Sequence, residues 1–270
     1  MTVLEAATAV RAPESQGRRL LRIYALETRY EFLKVLRLPA YAIPTLAFPT
    51  LFYVMFSMAF GGRSLGGASM SAYMLATYGA FGVIGAALFG FGVGIAIERG
   101  QGWLLLKRAS PMPAGAYFAA KVGMALLFAA IIVGSLFALG AGMQGVRLPV
   151  GTWLSLGAIL VSGALPFCAM GLAFGTWCGP NSAPAVVNLV YLPMAFGSGL
   201  WVPVQVLPGF LQALAPWLPP YHLAQLALKT LGADQGGPAA GHVAALVAVT
   251  VLSLAAAWVG YRRDEGKTYG

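Results

Sequence analysis

Residues 98–121 read E-R-G-Q-G-W-L-L-L-K-R-A-S-P-M-P-A-G-A-Y-F-A-A-K. Glu98 beside Arg99, and Lys107 beside Arg108, gather four charges in a chain in which only 9% of residues are charged. Opposite charges closing a long apolar run suit ion pairing at a bend and docking of a partner from water. They do not supply the nucleophile with a neighbouring base that covalent catalysis needs. Gly100 and Gly102 permit a sharp bend. Trp103 to Arg108 fits a helix of about two turns, basic at its C-terminal end where cations suit the helix dipole. Pro111 and Pro113 stop it and let the next helix begin. Glu98 is expected to stabilise the bend by pairing with a basic neighbour, and Lys121 to snorkel to the same interface. From the residues alone, the stretch reads equally as an ordinary basic loop.

The remaining candidates carry less. His222 and His242 are the two histidines, and no H-E-x-x-H occurs. Cys168 and Cys178 lie ten residues apart along one helix, too far to pair, and read as small packing residues. No serine has a base nearby in sequence. Gly266-Lys267-Thr268 imitates the end of a phosphate-binding loop, but that pattern requires glycine where Tyr261 stands and a helix afterwards, and two residues follow. Catalytic, cofactor-binding and metal-ligating residues are therefore all assigned as none.

These charges must be positioned by a hydrophobic body. The 270 residues have 59% hydrophobic side chains and a mean hydropathy of +0.77. A soluble domain carries about 25% charged residues, so the solvent for this chain is lipid. A membrane-crossing helix takes about 20 apolar residues. Six segments qualify, at 39–60, 72–97, 114–142, 152–177, 183–203 and 239–261. The fifth is interrupted by Pro193, and the first carries Pro44 and Pro49 and is expected to kink.

Charge sets the orientation. Seven basic residues precede the first segment, four (Arg99, Lys107, Arg108, Lys121) surround the hairpin, and three (Arg262, Arg263, Lys267) lie in the tail. The opposite side holds Arg63, Arg147 and Lys229. The positive-inside rule makes the first side, with both termini, cytoplasmic. The net charge of +9 reads as orientation and contact with lipid headgroups. It is not a nucleic-acid footprint, because the charges are split among short segments. No secretory signal is expected. All eight acidic residues lie at segment ends or outside, which disfavours an ion-coupled carrier that buries ionisable groups on its path.

Residues 1–16 read as disordered. Residues 17–38 read as an amphipathic helix lying on the membrane. Its apolar face is Leu21, Ala25, Thr28, Phe32, Val35 and Leu36; Arg22, Arg29 and Glu31 fall largely elsewhere, with Lys34 in reach of Glu31. Gly90 and Gly94, and Gly171 and Gly175, are small-xxx-small steps that let helices approach closely. Residues 178–184 form a tight cytoplasmic turn without positive charge. Residues 204–238, cut by Pro208, Pro216, Pro219 and Pro220, fit two short helices dipping into the outer leaflet, with Trp201, Trp217 and Tyr221 at headgroup level.

The stretch 98–121 resembles a motif of the ABC type-2 permeases, the membrane subunits of ATP-binding-cassette exporters: E-R-x-x-G after the second span, a leucine-rich run, S-P-x-P, and a lysine opening the third span. The segment G-S-G-L-W-V-P-V-Q-V-L-P-G-F-L-Q-A-L-A-P-W-L-P-P-Y-H (197–222) also resembles that family before its last span. The resemblance covers nearly the whole chain.

It implies an all-α integral membrane protein. That protein has a 17–38 surface helix, a 39–261 domain of six transmembrane helices, an outer re-entrant segment at 204–238 and a 262–270 tail. The 98–113 hairpin becomes the coupling element that inserts into an ATPase subunit, through Glu98, Arg99, Gly100, Gly102, Trp103, Leu104, Lys107, Arg108, Ser110 and Pro111. The chain itself binds no cofactor; ATP and Mg sit on the partner. The expected partners are that ATPase, a second permease (identical or not), membrane lipid and a small amphiphilic substrate. The expected place is the bacterial inner membrane, with the substrate path lined by the first, second and fifth spans. An ion-gradient carrier and a non-transporting assembly scaffold stand as alternatives.

Overall fold

A computed structural model describes residues 16–62, 64–65, 68–103 and 112–265. Helix α1 spans Gln16–Leu36. Leu38 is extended (φ −97°, ψ 93°) and Pro39 opens α2, Pro39–Phe60. Proline forces the residue before it out of the helical region and itself suits a first turn. A short antiparallel pair, β1 (Ser64–Leu65) and β2 (Ala68–Ser69), reverses the chain. Ser69 Oγ then accepts from Ala72 N at 3.2 Å and caps the next helix.

That helix, α3, runs Met70–Gly100. Its middle, Ala86–Val93, winds as a wider π-helical segment, a form often found at functional positions. Of its most apolar stretch 78% is buried, against 17% for α2, so α3 is the central post and the others surround it. Its glycines and alanines allow this. A Cβ on Gly92 would lie 2.7 Å from Gly171 O, and one on Gly175 2.8 Å from Gly92 O. The glycine steps thus pack two helices of one chain backbone to backbone. At 1.5 Å per residue, α3 is about 46 Å long, more than the roughly 30 Å hydrocarbon core.

Helix α4 spans Ala114–Gly142. Helices α5 (Val150–Ser162) and α6 (Ala164–Trp177) form one stretch broken at Gly163, where the Leu223 side chain fills the space a Cβ would need. Helix α7 spans Ala183–Gly197. Then come α8 (Gly209–Leu214), α9 (Pro219–Lys229) and α10 (Ala239–Glu265). Trp177 Nε1 donates to Ala256 O at 2.8 Å, and the Arg263 guanidinium lies 4.8 Å over the Trp177 ring, so the C-terminal ends of α6 and α10 lie side by side.

Among the described residues, five stretches are long and apolar enough to cross a membrane: Pro39–Phe60, Met70–Gly100, Gly115–Gly142, Val150–Trp177 and Ala239–Arg263. The expected fifth crossing, 183–203, differs. Its helix has 15 residues, about 22 Å, and ends at a turn in which Gly199 takes φ +76°, a conformation only glycine adopts freely. The segment still runs along α3. Pro180 packs against Gly100 at one end, and at the other Tyr78 OH donates to Trp201 O at 3.2 Å.

The segment after it folds against the bundle. Trp217 is 83% exposed, whereas Tyr221 is 9% exposed and Trp201 half-buried with its Nε1 enclosed. The expected aromatic belt thus keeps one of its three members on the surface. Trp201 instead sets its ring edge against Phe81 at 5.7 Å. Gln225 Oε1 accepts from Gln235 N at 2.7 Å, and Lys229 Nζ bonds both Asp234 Oδ2 (2.9 Å) and Gly237 O (2.8 Å). These bonds hold the loop that leads into α10.

Candidate functional site

The last turn of α3 delivers Glu98 and Arg99 to the end of the bundle shared by α1, the start of α4 and the end of α6. Consecutive residues on a helix point about 100° apart, so the two side chains reach different neighbours.

Glu98 turns toward α1 and α4. Its Oε1 lies 2.9 Å from Lys121 Nζ and bonds Lys34 Nζ as well; its Oε2 accepts from Tyr117 OH at 2.7 Å. Lys121 also reaches Glu31 Oε1 at 2.5 Å, and Lys34 reaches Glu31 Oε2 at 2.8 Å. Two carboxylates and two ammonium groups therefore balance, with a phenol filling a further acceptor site. Lys121 is 1% exposed and Glu31 6%. Charges so buried persist only when each is paired and hydrogen-bonded. Lys34 lies outside the apolar helices and is half-exposed. Burial would lower its pKa, but the hydrogen bonds and charges of Glu31 and Glu98 outweigh that and hold it above the ordinary lysine value.

Arg99 turns toward α6. Its Nη1 donates to Thr176 O at 2.5 Å and its Nη2 to Cys178 O at 2.7 Å. The last carbonyls of a helix have no partner inside it, and a guanidinium fork suits two of them at once. The turn at 178–184 carries no charge of its own, and Arg99 supplies it from α3. Gly100 completes the contact, because a Cβ there would lie 2.6 Å from Pro180.

Three readings change. Lys121 does not snorkel outward; it turns into the bundle onto Glu31 and Glu98. Glu31 does not sit on the solvated side of α1. The packed stripe of that helix runs through Thr28, which contacts Gly123, Glu31, Phe32, whose ring is 5.3 Å from that of Phe128, and Val35. Leu21, expected on the same face, is 74% exposed. The sequence carries one signal for Tyr117, its place one helical turn before Lys121.

Of the hairpin residues, Gly102 adopts φ +76°, as the expected bend requires, and Trp103 is 52% exposed. Leu104, Lys107, Arg108, Ser110 and Pro111 lie outside the described residues. Among the described residues, no three His, Cys, Asp or Glu side chains cluster as a metal site would need, and Cys168 and Cys178 are unpaired thiols.

A second feature lies deeper. A groove of about 340 Å³ opens between α2, the middle of α3 and α7, walled by Tyr41, Phe48, Phe81, Phe89 and Tyr191 with Asn188 at its side. Two of its hydroxyls are committed: Tyr41 OH donates to Ala86 O at 3.0 Å and Tyr191 OH to Phe81 O at 2.6 Å. Among the described residues, no carboxylate, amine or guanidinium lines it.

Comparison with known proteins places this architecture. Residues 24–231 match the model of the ABC-2 type transporter family. A relative from Bacillus subtilis (strain 168), named "Putative transport permease YvfS", is 29% identical over 181 residues, which cover 67% of this chain and 73% of that protein. The match to the family model runs from α1 through α9 and so takes in Glu31, Lys34, Glu98, Arg99, Tyr117 and Lys121. The chain is a multi-pass membrane protein and belongs to the ABC-2 type transporter family.

Proposed function

We propose that the chain is the permease of an exporter that moves a hydrophobic or amphiphilic compound across the bacterial inner membrane, driven by ATP hydrolysis in a separate subunit. The observation that carries this reading is the clamp at the end of α3. Glu98 binds α1 and α4 while Arg99 binds α6, so a displacement of the adjoining hairpin must move all four elements together. A partner that grips the 98–113 hairpin gains leverage on the body of the bundle. Docking on Trp103 and the basic residues Lys107 and Arg108 would supply that grip.

In this reading the charged end faces the cytoplasm and α1 lies along the membrane, with Leu20, Leu21 and Tyr30 exposed toward lipid. The chain crosses six times, the 183–203 segment crossing as a short helix plus its terminal turn. The outer segment caps the far end. Two permeases, identical or paralogous, assemble with two ATPases that hold the ATP and Mg. The groove between α2, α3 and α7 is the substrate path. Its aromatic walls and lack of charged lining favour drugs, lipids or lipopeptides over ions and sugars.

The test is co-expression with candidate ATPase subunits, purification through a tag on this chain, and ATP hydrolysis measured in lipid nanodiscs. The expected result is a co-purifying ATPase that is lost when residues 103–108 are scrambled. A permease that never retains an ATPase, or retains it equally after scrambling, overturns the reading. Uptake or efflux following an ion gradient in ATPase-free vesicles would then favour a carrier, and firm ATPase binding without flux a scaffold.

A further inference from the structure

His222 and His242 are the chain's two histidines, twenty residues apart, and they meet at the far end of the bundle. His222 lies in α9 and His242 in the first turn of α10. Their Nδ1 atoms are 2.9 Å apart and their ring centroids 5.2 Å. The Tyr221 ring abuts both, at 5.6 and 6.1 Å. His242 is 8% exposed, and its Nε2 is enclosed with no partner among the described residues.

A bond between two Nδ1 atoms needs one proton on that line: one ring donates and the other accepts. The bond survives when the pair is neutral and when it holds one extra proton. With both rings protonated, two N–H groups and two positive charges face each other at contact distance. Any extra proton on the pair also leaves His242 with an enclosed Nε2–H that has no acceptor among the described residues, which is unfavourable in its own right, and the second proton adds the facing charges to that cost.

Among the described residues, the surroundings offer no uncommitted counter-charge. Lys229, the last residue of α9, bonds Asp234 on the loop after it at 2.9 Å, and Asp234 Oδ2 also accepts from Gly236 N. The other titratable neighbours on α9 and α3 are the phenols Tyr221 and Tyr73. The Pro216 carbonyl faces the His222 ring from the turn before α9. Helix α5 and the first turns of α10 bring no other ionisable side chain.

We propose that His222 and His242 form a proton-sensitive latch that fastens α9 to the start of α10, closed while the pair carries at most one positive charge and released when both rings are protonated. Burial and the neighbouring ring both hold His222 below its ordinary value. The sign follows: between that lowered value and the usual one near 6.5, the separated, hydrated rings bind more protons than the packed pair, so the contact weakens as pH falls. The latch stands on this geometry. Its role, releasing the outer segment of an exporter toward an acidic exterior, rests on the function proposed above.

The test uses the full chain in nanodiscs with both cysteines replaced (C168A, C178A). Spin labels go on Trp217→Cys and Val247→Cys, both exposed positions. Pulsed EPR distances are compared at about pH 7.5 and about pH 5, the range in which histidine pairs titrate. One short-distance population is expected at the higher pH and an added longer one at the lower. His222→Gln, which keeps an acceptor but does not titrate, abolishes the longer population, and His242→Gln repeats the test if the first variant folds poorly. No pH-dependent population in the histidine chain, or the same one in H222Q, overturns the latch. A zinc ion bound at the higher pH and lost in H222Q, read by calorimetric titration, would make the pair a cation site and also overturn it. ATPase subunits are absent from this experiment, so its outcome is independent of whether the chain couples to one.

Discussion

Lys121 Nζ lies 2.5 Å from Glu31 Oε1, joining α4 to the surface helix α1 across ninety residues of sequence, with both side chains almost fully buried. Removing Lys121 leaves the buried carboxylates of Glu31 and Glu98 sharing Lys34, one negative charge in excess, and breaking a buried pair in this way costs about 3–5 kcal/mol. Lys121→Met is therefore expected to lower the unfolding midpoint strongly, measured by SDS- or heat-induced unfolding in nanodiscs. Glu31→Gln combined with Lys121→Met should cost less than the sum of the two single changes, with a coupling of about 0.5–3 kcal/mol. Additive effects would show that the contact carries no energy of its own.

This pair also marks the limit of what sequence shows. Glu98 and Arg99 are legible because they are rare charges closing an apolar run, beside glycines and prolines that announce a bend. Glu31 is not, because a helical wheel places it beside the apolar face of α1, and only the arrival of Lys121 and Glu98 from elsewhere makes burial tolerable. The Arg99 partners are backbone carbonyls, which every residue has, so no side-chain type at 176 or 178 could signal them. The apolar runs give the crossing stretches but not where helices end inside them. The turn at Gly199 shortens α7 within a segment whose hydropathy continues to Trp201 and beyond. The π-helical winding at 86–93 leaves no mark in residue type either.

Arg99→Lys separates charge from geometry. Lysine keeps the positive charge but offers a point donor in place of a planar fork, so it cannot hold Thr176 O and Cys178 O together as Arg99 does. If Arg99 serves to tie α3 to α6, R99K behaves like Arg99→Ala. In both, the ATPase still co-purifies, while transport per ATP hydrolysed falls. An R99K variant that retains full coupling would show that charge alone suffices.

The glycine contact at mid-bundle gives a contrast within one residue type. A Cβ at Gly92 meets the Gly171 backbone at 2.7–3.1 Å, and backbone cannot rotate away. Gly92→Ala is expected to destabilise by about 1–3 kcal/mol, as overpacking does. Gly134→Ala, in α4 where nothing lies within 4 Å, removes a poor helix former and should be neutral or stabilising by up to about 1 kcal/mol. Unfolding of the two variants in the same lipid compares them directly, and equal effects would rule out close helix approach as the reason for Gly92.

The break between α5 and α6 gives the last prediction. At Gly163 the Leu223 side chain of α9 occupies the space a Cβ would take, and the Ile159 carbonyl bounds it at 2.8 Å. Leu223 is fully buried, so Leu223→Ala should cost about 2–5 kcal/mol through lost contacts and an unfilled cavity. Gly163→Ala forces Leu223 out of its seat and should loosen α9 from the bundle. The two changes act on one volume. In the double variant the added methyl at position 163 enters space that the leucine side chain has vacated, so its destabilisation should fall below the sum of the singles, as unfolding in nanodiscs would read. The direction of that non-additivity distinguishes a lock between α9 and the break from two separate packing defects. Strict additivity would mean that the break at Gly163 exists for the backbone alone, whatever α9 places against it.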